Sequence, residues 1–183
     1  MKTLSGILEK QLNTLLSLKE DDWIKWIARE NTYKDDCDKI NGCYFIVRQM
    51  PAFPYHPNCQ CRLEQIQKPK PYTTAVANCD VRKFTEYIFN EKNNEGKRVV
   101  FNRLGYQKSD SYYLQNLYIS QAIEKYCNGE YTYKGVGYYP RIEIVIELKK
   151  EKYPAQKIKT GWVVLPGGEI KNATPFSGYT REN

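Results

Sequence analysis

Five residues of the first half carry donor atoms for a soft metal ion. They are Cys37, Cys43, His56, Cys59 and Cys61, spaced Cys-x5-Cys-x12-His-x2-Cys-x-Cys. Zinc takes about four thiolate or imidazole ligands in a tetrahedron, and Cys37, Cys43, His56 and Cys59 supply one such set. The single residue between Cys59 and Cys61 is tighter than the usual knuckle spacing of about two to four, so that pair is not expected to share an ion in the ordinary manner. The competing reading is a reduced or disulfide-linked hairpin in which His56-Pro57 forms a rigid turn. A zinc ion here would be structural, and no other cofactor is required.

A second set of candidates lies in residues 78–183, where the side chains suit a phosphodiester. RNA cleavage by its own 2′-hydroxyl needs a base, a proton donor and positive charge on the phosphate. No histidine follows His56, so imidazole is excluded from that work in this half. The remaining chemistry belongs to Lys97 and Arg141 as phosphate clamps, Glu143 or Tyr139 as base, and Thr160 and Thr174 as positioning groups. Arg98, Tyr139, Lys159 and Lys171 are candidates for gripping the nucleic acid, and Tyr131, Tyr133, Tyr138 and Tyr139 for stacking unpaired bases. Each residue also has a plainer role: Arg141 and Glu143 as a solvated strand face, Lys97 as a helix start, the threonines as ordinary strand residues and Trp162 as core.

The elements that must hold these groups are legible in outline. Leu4, Ile7, Leu8, Leu12, Leu15 and Leu16 form a helical stripe. Asp21 or Asp22 is placed to cap a second helix bearing Trp23, Ile24, Trp26 and Ile27. Residues 43–50 read as a strand ending at Pro51. Gln67-Lys-Pro-Lys-Pro71 reads as an extended linker. Helices are expected over 81–90, over 97–104 with Gly105 as the stop, and from Ser109 or Asp110 to just before Gly129. Ile142, Ile144, Ile146 and Leu148 alternate with Arg141, Glu143, Val145 and Glu147 in one strand; strands over 158–165 and 169–176 follow, joined by Pro166-Gly-Gly. The expected fold is α+β: N-terminal helices and a small Cys/His hairpin, then helices followed by an antiparallel sheet. The expected organisation is an adaptor over 1–66, a linker over 67–77 and a basic domain over 78–183.

Bulk properties narrow the function classes. The chain has 183 residues, 41% of them hydrophobic, which suffices for a core. Its net charge is +7. Residues 1–70 carry 11 basic and 9 acidic side chains and residues 71–183 carry 17 and 12, so the excess sits mainly in the second half. A basic half calls for an anionic partner such as nucleic acid or an acidic inhibitor; a lysine-rich surface for solubility is the alternative. No apolar run is long enough to insert in a membrane, and the charged start leaves no room for a secretory h-region, so no signal peptide is expected. The second half lacks the His/Cys sets of zinc deaminases.

Tyr55-His-Pro-Asn-Cys-Gln-Cys61, with Gly42 ahead of it, resembles the C-terminal signature of Mu F-like phage head-morphogenesis proteins. The likeness covers only about thirty residues and implies a virion-associated delivery module. Phe84…Tyr87-Ile-Phe-Asn90, Gly96-Lys97…Phe101…Leu104-Gly-Tyr106 and Lys159-Thr-Gly-Trp162…Thr174-Pro-Phe resemble a domain at the tips of phage-borne and contact-dependent polymorphic toxins. That resemblance extends by fold analogy to the barnase–EndoU–colicin–RelE ribonuclease superfamily, some members of which work through Lys, Arg and Tyr. It implies an antibacterial, metal-independent ribonuclease cutting RNA, transfer RNA among the targets, in a bacterial cytoplasm. The partners it implies are an RNA substrate, a cognate immunity protein, and a phage particle or secretion machinery for delivery. The alternative function is a non-enzymatic virion or head-assembly protein whose basic half binds nucleic acid or a partner.

Overall fold

The structure is a computed structural model that describes residues 4–30, 35–90, 92 and 95–180. It is α+β. After helix α1 (Leu4–Ser17) come β1 (Trp23–Ile27), the short helix α2 (Asp36–Ile40), β2 (Tyr44–Ile46) and β3 (Arg62–Ile66). These three strands form an antiparallel sheet in the order β2-β1-β3. The second half holds β4 (Val76–Asn78), a π-helical segment Lys83–Ile88, α3 (Glu95–Arg103), α4 (Ser111–Cys127), β5 (Thr132–Val136), β6 (Pro140–Leu148), β7 (Gln156–Val164) and β8 (Glu169–Tyr179). Its sheet runs β4-β8-β7-β6-β5. All neighbours in it are antiparallel except β4, which pairs parallel with β8.

The expected second helix is a strand. Trp23, Ile24, Trp26 and Ile27 occupy β1, the central strand of the small sheet. A central strand packed on both faces reads as a nearly continuous apolar run, which mimics helical spacing over so short a length. Residues 43–50 form only the three-residue strand β2, then turn into a 3-10 segment at Val47–Gln49. The stripe of α1 is only partly covered: Leu15 packs on the core, whereas Leu12 and Leu16 are exposed, and the side chains of Leu4, Ile7 and Leu8 lie outside the described residues.

The helices of the second half lie close to expectation. Phe84 and Ile88 of the π-helical segment are buried, as are Phe101 of α3 and Leu114, Ala122, Ile123 and Tyr126 of α4. Phe101 meets both Phe84 and Phe89 edge-on, a geometry the ring quadrupoles favour. Gly105, with φ +80°, adopts the left-handed conformation that ends α3. In the main sheet Ile142, Ile144, Ile146 and Leu148 of β6 point into the core beside Ile158, Trp162 and Val164 of β7. The opposite face carries Arg141, Glu143 and Val145 and remains partly open to solvent.

The N-terminal segment packs against the second half. Trp23 packs edge-on against Tyr126 of α4 at 5.4 Å, and the Tyr126 hydroxyl donates to the Tyr44 carbonyl at 2.8 Å. The Ile46 N–H donates to the Tyr131 hydroxyl at 3.0 Å, within a buried contact. The Gly42 carbonyl accepts the Gly167 N–H at 2.9 Å, and a Cβ on Gly42 would come within 3.0 Å of the Pro166 Cβ. One continuous buried cluster therefore spans both sheets. The stretch expected to be a linker also contributes structure: Pro71 bridges Ala75, and β4 begins at Val76.

Candidate functional site

Register on the main sheet decides which candidates share a surface. Side chains alternate faces along a strand, and cross-strand partners share one. Glu143 pairs with Thr132 on β5 and with Gly161 on β7, and Gly161 pairs with Thr174 on β8. A Cβ built on Gly161 would lie 3.4 Å from the Thr174 Cβ, so the threonine stands on the same face across a bare floor. One row away, Arg141 pairs with Val163, which pairs with Lys171. Lys159 pairs with Val145. Arg141, Glu143, Lys159, Lys171 and Thr174 thus share the open face.

The electrostatic centre of this face is Glu143. Its carboxylate, with the side chain 19% exposed, lies 3.5 Å from the Lys134 ammonium and 3.7 Å from that of Lys159. Arg141, exposed two residues along the strand, has no carboxylate partner among the described residues, and neither has the exposed Lys171. Tyr138 and Tyr139 sit beyond Arg141 at the β5–β6 turn, with Tyr138 83% exposed and its ring edge-on to Tyr139 at 5.1 Å. The arrangement places one carboxylate among cations on a surface a polyanion can reach.

Three candidates stand elsewhere. Thr160 is fully buried on the core face, where its hydroxyl donates to the Ile144 carbonyl at 2.7 Å and accepts the Trp162 indole N–H at 2.8 Å. Its parity explains this: it lies between Lys159 and Gly161, which face out. Thr160 is therefore a structural residue and not a member of the open face. Lys97 and Arg98 belong to α3. Lys97 bonds to the Tyr87 hydroxyl and lies over that ring, 4.3 Å from its centroid. α3 packs through Phe101 against Phe176 of β8, and β8 is two strands from β6, about 10 Å across the sheet. Lys97 and Arg98 thus stand on a helix and not on the strands that carry Glu143.

Tyr131 is likewise removed from base stacking. It is buried, and burial raises its hydroxyl well above the usual tyrosine range. Tyr133 is half-buried; desolvation pushes it up to about 12, with Arg141 acting in the opposite direction. Lys134 and Gly161 were not among the expected site residues. Gly161 had a legible signal: it shares the parity of Lys159 in a strand whose Ile158, Trp162 and Val164 point inward.

The cysteines separate into one cluster and three isolated thiols. Cys37, His56 and Cys59 bring their ligand atoms within 4.8 Å of one another. The Cys37 Sγ is 3.1 Å from His56 Nε2 and 3.9 Å from the Cys59 Sγ. α2 supplies Cys37, held by a capping box in which Asp35 Oδ1 accepts the Cys37 N–H. The loop before β3 supplies the rest, fixed by the buried Gln11, whose amide donates to the carbonyls of Cys59 and Cys61. Cys43 does not join them. It lies between the two sheets with its Sγ 3.6 Å from the Val164 carbonyl, and burial pushes its thiol up to about 12. All six cysteines are free thiols.

Among the described residues no helix is long and apolar enough to cross a membrane. No curated protein and no solved structure matches the chain. A family model does match, over residues 71–176, from the bridge at Pro71 to the middle of β8, and so takes in the whole open face. The chain belongs to the family described as a domain of unknown function, DUF6883.

Proposed function

We propose that the open face of the main sheet cleaves RNA without a metal ion, and that the chain is an antibacterial effector of the polymorphic-toxin kind. The observation that carries this reading is the Glu143 carboxylate between Lys134 and Lys159, with Arg141, which has no carboxylate partner among the described residues, beside it, in a half that has no histidine. Glu143 takes the proton of the 2′-hydroxyl, the 2′-oxygen attacks phosphorus and the bond to the 5′-oxygen breaks. Arg141 and Lys159 hold the phosphate as its charge grows, and a lysine ammonium or water protonates the leaving oxygen. Thr174 positions the ribose or phosphate across the gap at Gly161, Lys171 grips the strand, and Tyr138 and Tyr139 offer rings for unpaired bases.

Delivery by a phage particle or secretion machine, action in a bacterial cytoplasm on substrates such as transfer RNA, and a cognate immunity protein belong to this same reading. The excess positive charge of the second half suits an acidic immunity protein that covers the face. The test is to incubate the purified chain with total bacterial RNA, with EDTA and without added divalent ions. Cleavage leaving 2′,3′-cyclic phosphate ends is the expected result. Intact RNA at high protein concentration, with binding retained, would instead assign the face to nucleic-acid binding in a virion or assembly protein.

A further inference from the structure

We propose that the N-terminal sheet carries a structural zinc site whose ligands are Cys37, His56, Cys59 and Cys61, the last two sharing the ion despite a spacing tighter than the usual knuckle. This site is independent of the RNA-cleaving face and lies outside residues 71–176. Zinc–sulfur bonds of about 2.3 Å and zinc–nitrogen bonds of about 2.0 Å in a tetrahedron separate neighbouring ligand atoms by roughly 3.5–3.8 Å. Cys37 Sγ stands 3.1 Å from His56 Nε2 and 3.9 Å from Cys59 Sγ, so three corners are nearly in place.

The histidine is set for the role. Its Nδ1 donates to the Pro57 carbonyl at 2.8 Å, which leaves Nε2, the atom facing Cys37, as the lone-pair nitrogen. An outer hydrogen bond of this kind fixes the ligating tautomer. A second, independent observation comes from beneath the cluster. The indole Nε1–H of Trp26 is fully buried and makes no hydrogen bond of ordinary geometry. The group near it is the Cys61 sulfur. A metal-bound thiolate at Cys61 would give that orphaned donor the acceptor it lacks.

Cys61 lines the same cavity of about 100 Å³ as Cys37 and His56, and so does Arg29, whose charge offsets the net negative charge of three thiolates around one zinc ion. Cys61 stands outside the trio whose ligand atoms lie within 4.8 Å of one another, so its side chain must turn inward when the ion binds. Asp35 is the rival fourth ligand: its Oδ2 lies 3.6 Å from His56 Nε2. Its Oδ1 is already committed to the Cys37 N–H, and the unpartnered indole points to Cys61 instead. The ion would tie α2 to the residue just before β3.

The test is the metal content and cobalt spectrum of the full chain, purified reduced and supplied with zinc or Co2+. One zinc per chain is expected, with retention in Cys43→Ala and loss in Cys37→Ser and His56→Ala. The cobalt-loaded chain should show thiolate charge-transfer absorption that falls by about one third in Cys61→Ser, as three thiolates become two. A folded wild-type chain that takes up no zinc overturns the site. Unchanged absorption in Cys61→Ser together with metal loss in Asp35→Asn overturns the assignment of the fourth ligand.

Discussion

The Glu143 carboxylate lies 3.7 Å from the Lys159 ammonium although the two are not cross-strand partners: Glu143 stands opposite Gly161, and Lys159 opposite Val145. The contact is diagonal, and it exists because the position facing Glu143 has no side chain to fill it. The bare floor at Gly161 leaves room beside the carboxylate for a ribose and its phosphate. Gly161→Leu should put an isobutyl group there, against Thr174. We expect the variant to fold and to lose RNA cleavage by about two orders of magnitude, the scale of a misplaced reacting group. Circular dichroism checks the fold and a gel-based cleavage rate checks the loss; a folded variant with full activity would place the reaction elsewhere.

Thr160 and Thr174 should part company under mutation. Thr160→Val leaves the buried Trp162 N–H without an acceptor and is expected to cost about 1–3 kcal/mol in urea unfolding, with cleavage per folded molecule unchanged. Thr174→Ala, on the open face, should lower cleavage while stability stays within about 0.5 kcal/mol of the wild type. The reverse pattern would exchange their roles.

The difference between those threonines shows what a strand's sequence contains and what it leaves out. The alternation of Ile142, Ile144, Ile146 and Leu148 requires one buried face, and Arg141 and Glu143 follow onto the other. In β7, Ile158 and Trp162 carry the same period, which places Thr160 inside; a hydroxyl between apolar neighbours disguises that parity. Which lysine meets Glu143 is a matter of register between strands, and nothing within β6 announces it. Trp23–Ile27 was ambiguous for another reason: five residues are too few to separate a helical from a strand period. The docking of the first sheet through Trp23, Tyr44 and Ile46 onto Tyr126 and Tyr131 depends on pairs more than eighty residues apart, as in Ile46 with Tyr131. Cys43 fitted a metal set by spacing and is excluded by its place between the sheets.

Stability should respond to acid through Asp110. Burial opposes the charge of its carboxyl, but the Lys150 ammonium at 2.9 Å and the Gln107 N–H outweigh it and hold the group below its ordinary value. A depressed folded pKa gives stability that is complete above the unfolded value of about 3.9 and is lost as pH falls through the folded one. Asp110→Asn keeps an oxygen for the Gln107 N–H and loses the ion pair. It should be less stable by about 1 kcal/mol or less at pH 7, with the gap closing below about pH 4. Urea midpoints at pH 7 and pH 3 test this; a gap that persists at full size in acid would show that the ion pair is not its source.

The most direct test of the central claim is the single-turnover rate of RNA cleavage by Glu143→Gln beside the wild type. Glutamine keeps the shape of the side chain and its hydrogen-bonding oxygen but cannot take a proton. If Glu143 is the base among these lysines, the rate should fall by about 100-fold or more in a variant with unchanged fold and RNA affinity. An undiminished rate would contradict the assignment and leave the open face as a surface that holds RNA without cutting it.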